Sequence, residues 1–307
     1  MFIFDNRIDF ENRDELAEYI DGAGCRTSGL SFSSLYMWRD GNDFSYEIIE
    51  GYLCISGLSY LEIEDNLHFM FPPLSKDGKY ERESLRKCIF AAKKKFEEKG
   101  EVFSIRLVSQ DAKRHIEAAV PEIKWIDDRP NYDYIYDRDE ITALRGKKFH
   151  AKKNYINSFK KNYEYEVEPI TSDMTGELME FIEVFVRSKE LDEHDMMLLR
   201  MEMDSLRDVF ENFERIGMTG VIIRIDGRIR AMAAGGFLGD DMVVEHIEKA
   251  DRNIRGLYPM VFHQFCTGLP GNIRYINREE DMDIENLRKA KLSFKPCELI
   301  KKFIGVF

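Results

Sequence analysis

Asp226-Gly227 stands between Val221-Ile-Ile-Arg-Ile225 and a second apolar run ending at Gly235, and no other feature limits the fold of this chain as strongly. Asp-Gly between two apolar runs marks a two-residue hairpin, because both central residues must adopt positive φ. The pattern predicts strands over Val221–Ile225 and Arg228–Gly235. Gly239-Asp-Asp241 turns the chain again into a third strand, Met242–Ala250. A loop over Asp251–Gly256, a helix over Leu257–Gly268 and a strand over Ile273–Asn277 follow. Two helices are expected upstream, over about Thr175–Lys189 and Asp195–Arg215. Leu178, Phe181, Ile182 and Phe185 recur at helical spacing in the first, and Leu199, Met203, Leu206, Val209 and Phe210 in the second.

The first half repeats this order. Tyr46–Glu50 reads as a strand, Glu50-Gly51 as the turn, Tyr52–Gly57 as the return and Leu67–Leu74 as a third strand. A helix over Tyr80–Gly100 ends at its glycine, and Val102–Val108 is the next strand. The expected architecture is therefore α/β in an α+β layout. Its two domains, 1–139 and 140–307, each hold a mixed, mostly antiparallel sheet flanked by helices. This element order resembles the GNAT-type N-acyltransferase fold. Two such units in tandem resemble the Fem-type aminoacyl transferases, which use aminoacyl-tRNA.

Composition narrows the function classes. The 307 residues are 44% hydrophobic and 33% charged, an ordinary globular balance. No run approaches the roughly 18 apolar residues of a spanning helix. Met1-Phe-Ile-Phe-Asp5 carries an acid where a signal peptide has a base, so the expected location is the cytoplasm. Cys25, Cys54, Cys88, Cys266 and Cys297 are scattered without ligand rhythm, which predicts reduced thiols and no metal site. A net charge of −12 excludes polyanion binding over the whole surface. A local exception runs from Ala143 to Tyr163, which holds no acid but includes Lys147, Lys148, Lys152 and Lys153. These four are the candidate contacts to a tRNA or another polyanion; a solvated helix face is the competing reading.

Three stretches carry a sharper resemblance. They are Gly146-Lys-Lys-Phe-His-Ala-Lys-Lys-Asn-Tyr-Ile-Asn-Ser-Phe159, His246-Ile-Glu-Lys-Ala-Asp-Arg-Asn-Ile-Arg-Gly-Leu-Tyr-Pro259, and Asn277-Arg-Glu-Glu-Asp-Met-Asp-Ile-Glu-Asn-Leu-Arg-Lys-Ala-Lys-Leu-Ser-Phe-Lys-Pro296. Together they resemble soluble bacterial relatives of the C-terminal catalytic domain of phosphatidylglycerol lysyltransferases. The resemblance implies transfer of an aminoacyl group from aminoacyl-tRNA, or an acyl group from acyl-CoA, to an amine or hydroxyl on a small-molecule or peptide acceptor. Either donor would be a co-substrate, with no covalently bound cofactor. Asp283 and Asn286 stand where the family has glycine. Both residue types tolerate positive φ, so the turn is expected to survive. The glycine departures also suit a second reading, a non-catalytic ligand-binding protein that retains the fold.

Acyl transfer needs a polarised carbonyl, a held acceptor and a proton shuttle. Alternation along Val243–Glu248 places His246 and Glu248 on one face and Glu245 on the other. Glu248 is the first candidate for general base and Glu245 the second. Arg252, Arg255 and Gly256 precede a helix, where free N–H groups and the dipole suit a phosphate, and Tyr258 opens that helix. In the third motif Asp281 is the candidate acceptor-orienting or structural acid. Arg288, Lys289 and Lys291 are candidate donor-binding cations. Glu248, Asp281 and Arg288 are expected to share one cleft.

Overall fold

Both predicted hairpins form, and in each the two turn residues adopt positive φ. Glu50 and Gly51 have φ of 53° and 83°, and Asp226 and Gly227 have 52° and 71°. The computed structural model describes residues 2–59, 67–187 and 203–307. The chain divides into two compact units. One comprises Met1–Asp133, Glu279–Glu285 and Leu299–Phe307, and the other Tyr134–Arg278 and Asn286–Glu298. The division is thus not a single cut in the chain, since two late segments belong to the first unit.

In the first unit, β1 (Asn6–Arg7), β2 (Ser45–Ile49), β3 (Tyr52–Ser59) and β4 (Leu67–Met70) follow in antiparallel order, with β5 (Leu74–Ser75) also on β3. The helix Arg82–Glu98 then carries the chain across to β6 (Ser104–Ser109), which runs parallel to β4. Leu85, Cys88, Ile89, Ala92 and Phe96 recur every three or four residues on that helix and bury against Cys54, Met70 and Ile105. Ser109 caps the helix Gln110–Ala119 by accepting the Ala112 N–H at 3.2 Å. The sheet ends with β7 (Lys124–Asp127), but β6 and β7 do not touch. The strand Lys302–Val306, the last of fifteen among the described residues and hence β15, lies between them and pairs antiparallel with both.

β15 brings a charge into this unit. Lys302 is 1% exposed and donates to Asp133, itself 0% exposed, at 2.7 Å. The Ser28 backbone N–H and hydroxyl each donate to the same carboxylate at 2.8 Å. Burial alone would lower the Lys302 pKa, but the attraction of Asp133 and Glu280 outweighs it, and the pKa is raised.

The second unit repeats the plan. β9 (Glu166–Pro169), β10 (Met218–Ile225), β11 (Arg228–Leu238) and β12 (Met242–Ala250) are successively antiparallel. The helix Leu257–Gly268 crosses to β13 (Tyr275–Asn277), parallel to β12. β8 (Asp133–Asp137) pairs antiparallel with β13, and β14 (Glu298–Ile300) begins at Glu298, the last residue of this unit. Ala231 and Ala233 keep β11 thin where Leu257, Met260, Val261 and Phe265 pack in the same core. The helix predicted from Thr175 is present as Thr175–Arg187. The predicted helix start at Asp195 and its Leu199 lie outside the described residues; residues 203–211 are helical. Among the described residues no helix is long and apolar enough to cross a membrane.

Candidate functional site

The second sheet opens on one side. β12 runs to Ala250, yet it bonds to β13 only where Met242–Val244 face Tyr275–Asn277. β13 stops at Asn277, and beyond Val244 no described strand pairs with that edge of β12. Arg278, the first residue after β13, fills the mouth of this wedge. Its guanidinium is ion-paired to both Glu245 and Glu248.

Strict alternation would hold these two acids on opposite faces, and a bulge corrects that expectation. Ala234 lies opposite Ile247, but Gly235 lies opposite Glu245, so His246 is an extra residue in β12. One extra residue turns a spacing of three into an effective spacing of two, and both carboxylates reach the same cation. Gly235 permits the bulge, since a Cβ there would lie 2.0 Å from the Val244 carbonyl oxygen.

The guanidinium is held on its other side by aromatic rings. It lies 3.9 Å from the Phe262 ring centroid, 5.4 Å from Phe294 and 5.7 Å from Tyr136. The Lys291 ammonium donates to the Arg278 carbonyl, and the Tyr136 hydroxyl donates to the Lys291 carbonyl at 2.8 Å. Burial pushes the Tyr136 pKa up. Glu245 is the inner acid, its side chain 3% exposed, and Glu248 the outer one at 17%, which leaves Glu248 the acid a ligand can touch. Lys152, on the helix His150–Asn162, places its ammonium 4.0 Å over the Phe294 ring. Burial first, and the nearby Arg278 charge second, pull its pKa down to about 8.

The predicted phosphate loop lies between β12 and the helix Leu257–Gly268. Gly256 has φ of 89°, and a Cβ on it would meet the Tyr155 carbonyl oxygen at 2.5 Å, so only glycine brings the loop onto the neighbouring helix. Arg255 stacks on the Tyr155 ring, and Tyr258 is half-buried against the core. Arg252 lines an open groove of about 540 Å³ beside Arg228, Arg230, Phe181 and Phe185. Arg252 and Lys249 lie over Phe185 at 6.0 and 5.5 Å. That face combines guanidinium groups and an aromatic surface with the acids Glu177, Glu180 and Asp251, of which Asp251 pairs with Arg230 at 3.3 Å.

The third motif divides between the units. Arg288, Lys289 and Lys291 fall in the second, with Arg278, whereas Asp281 falls in the first. Asp281 is 0% exposed and accepts from Arg129 at 3.0 Å and from the Asp283 N–H at 2.9 Å. A carboxylate enclosed this way braces its loop, and a role at the acceptor does not fit its burial. Arg288 is half-buried and Lys289 exposed. Asp283 keeps a φ of 59°, as expected for a residue replacing glycine, while Asn286 lies within the helix Glu285–Ser293. In the basic segment Lys147 and Lys153 are exposed, and Lys148 is paired with Glu140 at 2.6 Å. Arg278 is absent from the sequence-derived candidates. Its signal was its position one residue past a strand that lies parallel to an acid-bearing one.

A phosphatidylglycerol lysyltransferase C-terminal family model matches residues 24–305. No curated protein matches the chain. Solved structures similar over nearly its full length include the following three. A conserved protein of unknown function from Bacteroides thetaiotaomicron is 30% identical, with 99% of each chain covered and a TM-score of 0.86. L-PGS from Bacillus licheniformis is 12% identical, covering 98% of this chain and 92% of that one, with a TM-score of 0.63. A tandem GNAT protein from the clavulanic acid biosynthesis pathway is 10% identical, covering 97% of each chain, with a TM-score of 0.53. The two units thus have the tandem GNAT fold, and the chain belongs to the phosphatidylglycerol lysyltransferase C-terminal family.

Proposed function

We propose that the second unit transfers an aminoacyl group from aminoacyl-tRNA to an amine or hydroxyl acceptor, with bond exchange in the wedge between β12 and β13. The observation that carries this reading is the opened strand edge with Glu248 and Arg278 at its mouth. Backbone N–H groups on an unpaired strand edge are fixed dipoles that suit a developing oxyanion. Glu248 is placed to orient the acceptor and take its proton, and Arg278 holds that carboxylate in place. In the groove, Arg228 and Arg252 would contact the phosphates of such a carrier. Two features favour an aminoacyl ester over an acyl thioester. The wedge offers the Glu248 carboxylate, which matches an α-ammonium and which a neutral acyl chain does not need. The exposed Lys147 and Lys153 offer phosphate contacts beyond the groove.

The test begins with purified protein, charged tRNA and acetyl-CoA in separate reactions, with loss of the acyl bond followed over time. The expected result is faster loss from charged tRNA than from acetyl-CoA, and a decrease of about 10²–10⁴-fold in Glu248→Gln, the usual range for a general base. Consumption of neither carrier, together with no binding of either at low salt, would overturn the proposal.

A further inference from the structure

Among the described residues, no carboxylate pairs with Lys152 in the wedge. Arg278 has Glu245 and Glu248, and Lys291 has the Arg278 carbonyl. Lys152 has neither a carboxylate nor a hydrogen-bond acceptor among the described residues; its contact is the face of Phe294. That ring stacks edge-on against Phe262 at 5.0 Å, and Phe262 carries the Arg278 guanidinium. Lys152 and Arg278 thus share one aromatic wall. A side chain so placed is reachable, being half-buried, but it is poorly solvated and faces a like charge.

We infer that Lys152 is an acyl-accepting lysine, whose amine takes an acyl group from an activated ester or thioester brought into the wedge. The neutral Nζ lone pair attacks the carbonyl carbon and forms the C–N bond. The C–O or C–S bond breaks, the leaving alkoxide or thiolate keeps that electron pair, and the proton lost from nitrogen passes to it. No oxidant or further reactant is needed. The product amide lies over Phe294 and removes one positive charge from beside Arg278.

The surroundings supply the reactive form. With its pKa near 8, roughly a quarter of Lys152 is neutral at pH 7.5, against about one part in a thousand for an ordinary lysine. The charged group that bears on it directly is Arg278 after β13, which Glu245 and Glu248 on β12 pair with and whose carbonyl accepts from Lys291 on the helix Glu285–Ser293. On its own helix, Lys153 is exposed to solvent. A depressed lysine pKa of this kind is a recognised route to a nucleophilic amine.

The inference takes the wedge as the acyl-transfer site, so its test uses one probe that needs no carrier recognition. The protein is treated with p-nitrophenyl acetate from pH 6 to 10, and in parallel with acetyl-CoA and charged tRNA. Acylation of each lysine is read by peptide mass spectrometry. Lys152 is expected to label at least about ten-fold faster than Lys153 and Lys160 at pH 7.5, with a half-rise near pH 8 and a plateau above it. Lys152→Arg should abolish that peptide's signal and leave the others unchanged. Labelling of Lys152 no faster than Lys153, or a rate still climbing at pH 10, would overturn the inference. Selective labelling by the small ester, with neither carrier bound, would uphold the lysine and refute the transferase reading.

Discussion

Replacing Lys302 by methionine tests whether the buried pair of the first unit is an energetic requirement. The substitution keeps most of the side-chain length and removes the charge. It strands Asp133, which is 0% exposed and accepts from Lys302 at 2.7 Å. Removing one partner of a buried pair costs about 3–5 kcal/mol, because the other charge is left uncompensated. Here the stranded carboxylate keeps two donors, the N–H and hydroxyl of Ser28, both at 2.8 Å. Those bonds hold the cost near the lower bound, about 3 kcal/mol. For a unit of this size each kcal/mol moves the midpoint by about 2–4 °C, so the expected fall in Tm is roughly 6–12 °C. Calorimetry reads it, and denaturant unfolding should show a lower midpoint with the slope unchanged. Adding Asp133→Asn should restore much of the loss, since a neutral amide costs far less to bury than an unpaired carboxylate. A fall below about 2 °C in the single variant, or no recovery in the double, would refute the reasoning.

Gly256→Ala should destabilise by more than about 1 kcal/mol. It should cost more than Gly227→Ala, because position 256 combines φ of 89° with a carbonyl 2.5 Å from the new Cβ, whereas a Cβ at 227 meets nothing within 4 Å; paired Tm measurements check this. Lys152→Met should gain stability at pH 6–7. The folded pKa near 8 lies below the unfolded value, so the buried charge costs its full amount below pH 8. Wild-type stability then rises between about pH 8 and 10.4, where the unfolded chain binds more protons, and the advantage of methionine should shrink across that window. Denaturation at pH 6, 8 and 10 reads the difference, and a constant gap would count against it. Lys147→Glu with Lys153→Glu should flatten the salt dependence of tRNA binding by about one to two units of slope, measured by filter binding, with folding unchanged by circular dichroism.

The elements that could be read from sequence were those with local punctuation. Asp226-Gly227 and Glu50-Gly51 declare their hairpins because the turn chemistry lies within two residues. The helix Leu257–Gly268 is bounded on one side by a glycine that must have positive φ. β15 carries no such mark, since Lys302 looks like any surface lysine until Asp133 is opposite it. The site was half legible. Glu245 and Glu248 stood out as acids in an apolar strand, but the bulge that unites them depends on pairing with Gly235, which alternation along one strand cannot reveal. Lys152 was read as part of a charge run. Its inward turn over Phe294 follows from packing against residues more than a hundred positions away. Asp281 reads in sequence as an acceptor-orienting or a structural acid, and the partner that fits the structural role, Arg129, lies far back in the chain.

The interleaving of the two units also has a consequence during synthesis. Residues 104–109 and 124–127 leave the ribosome well before the strand that joins them, Lys302–Val306, is translated. At about 5–20 residues per second, the gap in that sheet stays open on the order of ten seconds or longer. During that interval β6 and β7 present unpaired edges, the feature of a nascent sheet most prone to joining another chain. Slowing translation between residues 128 and 302 should therefore burden the unit whose strands β6 and β7 are already made. A nonsense codon before residue 302 would leave that unit unable to close its sheet, although nearly all of its own residues had been made.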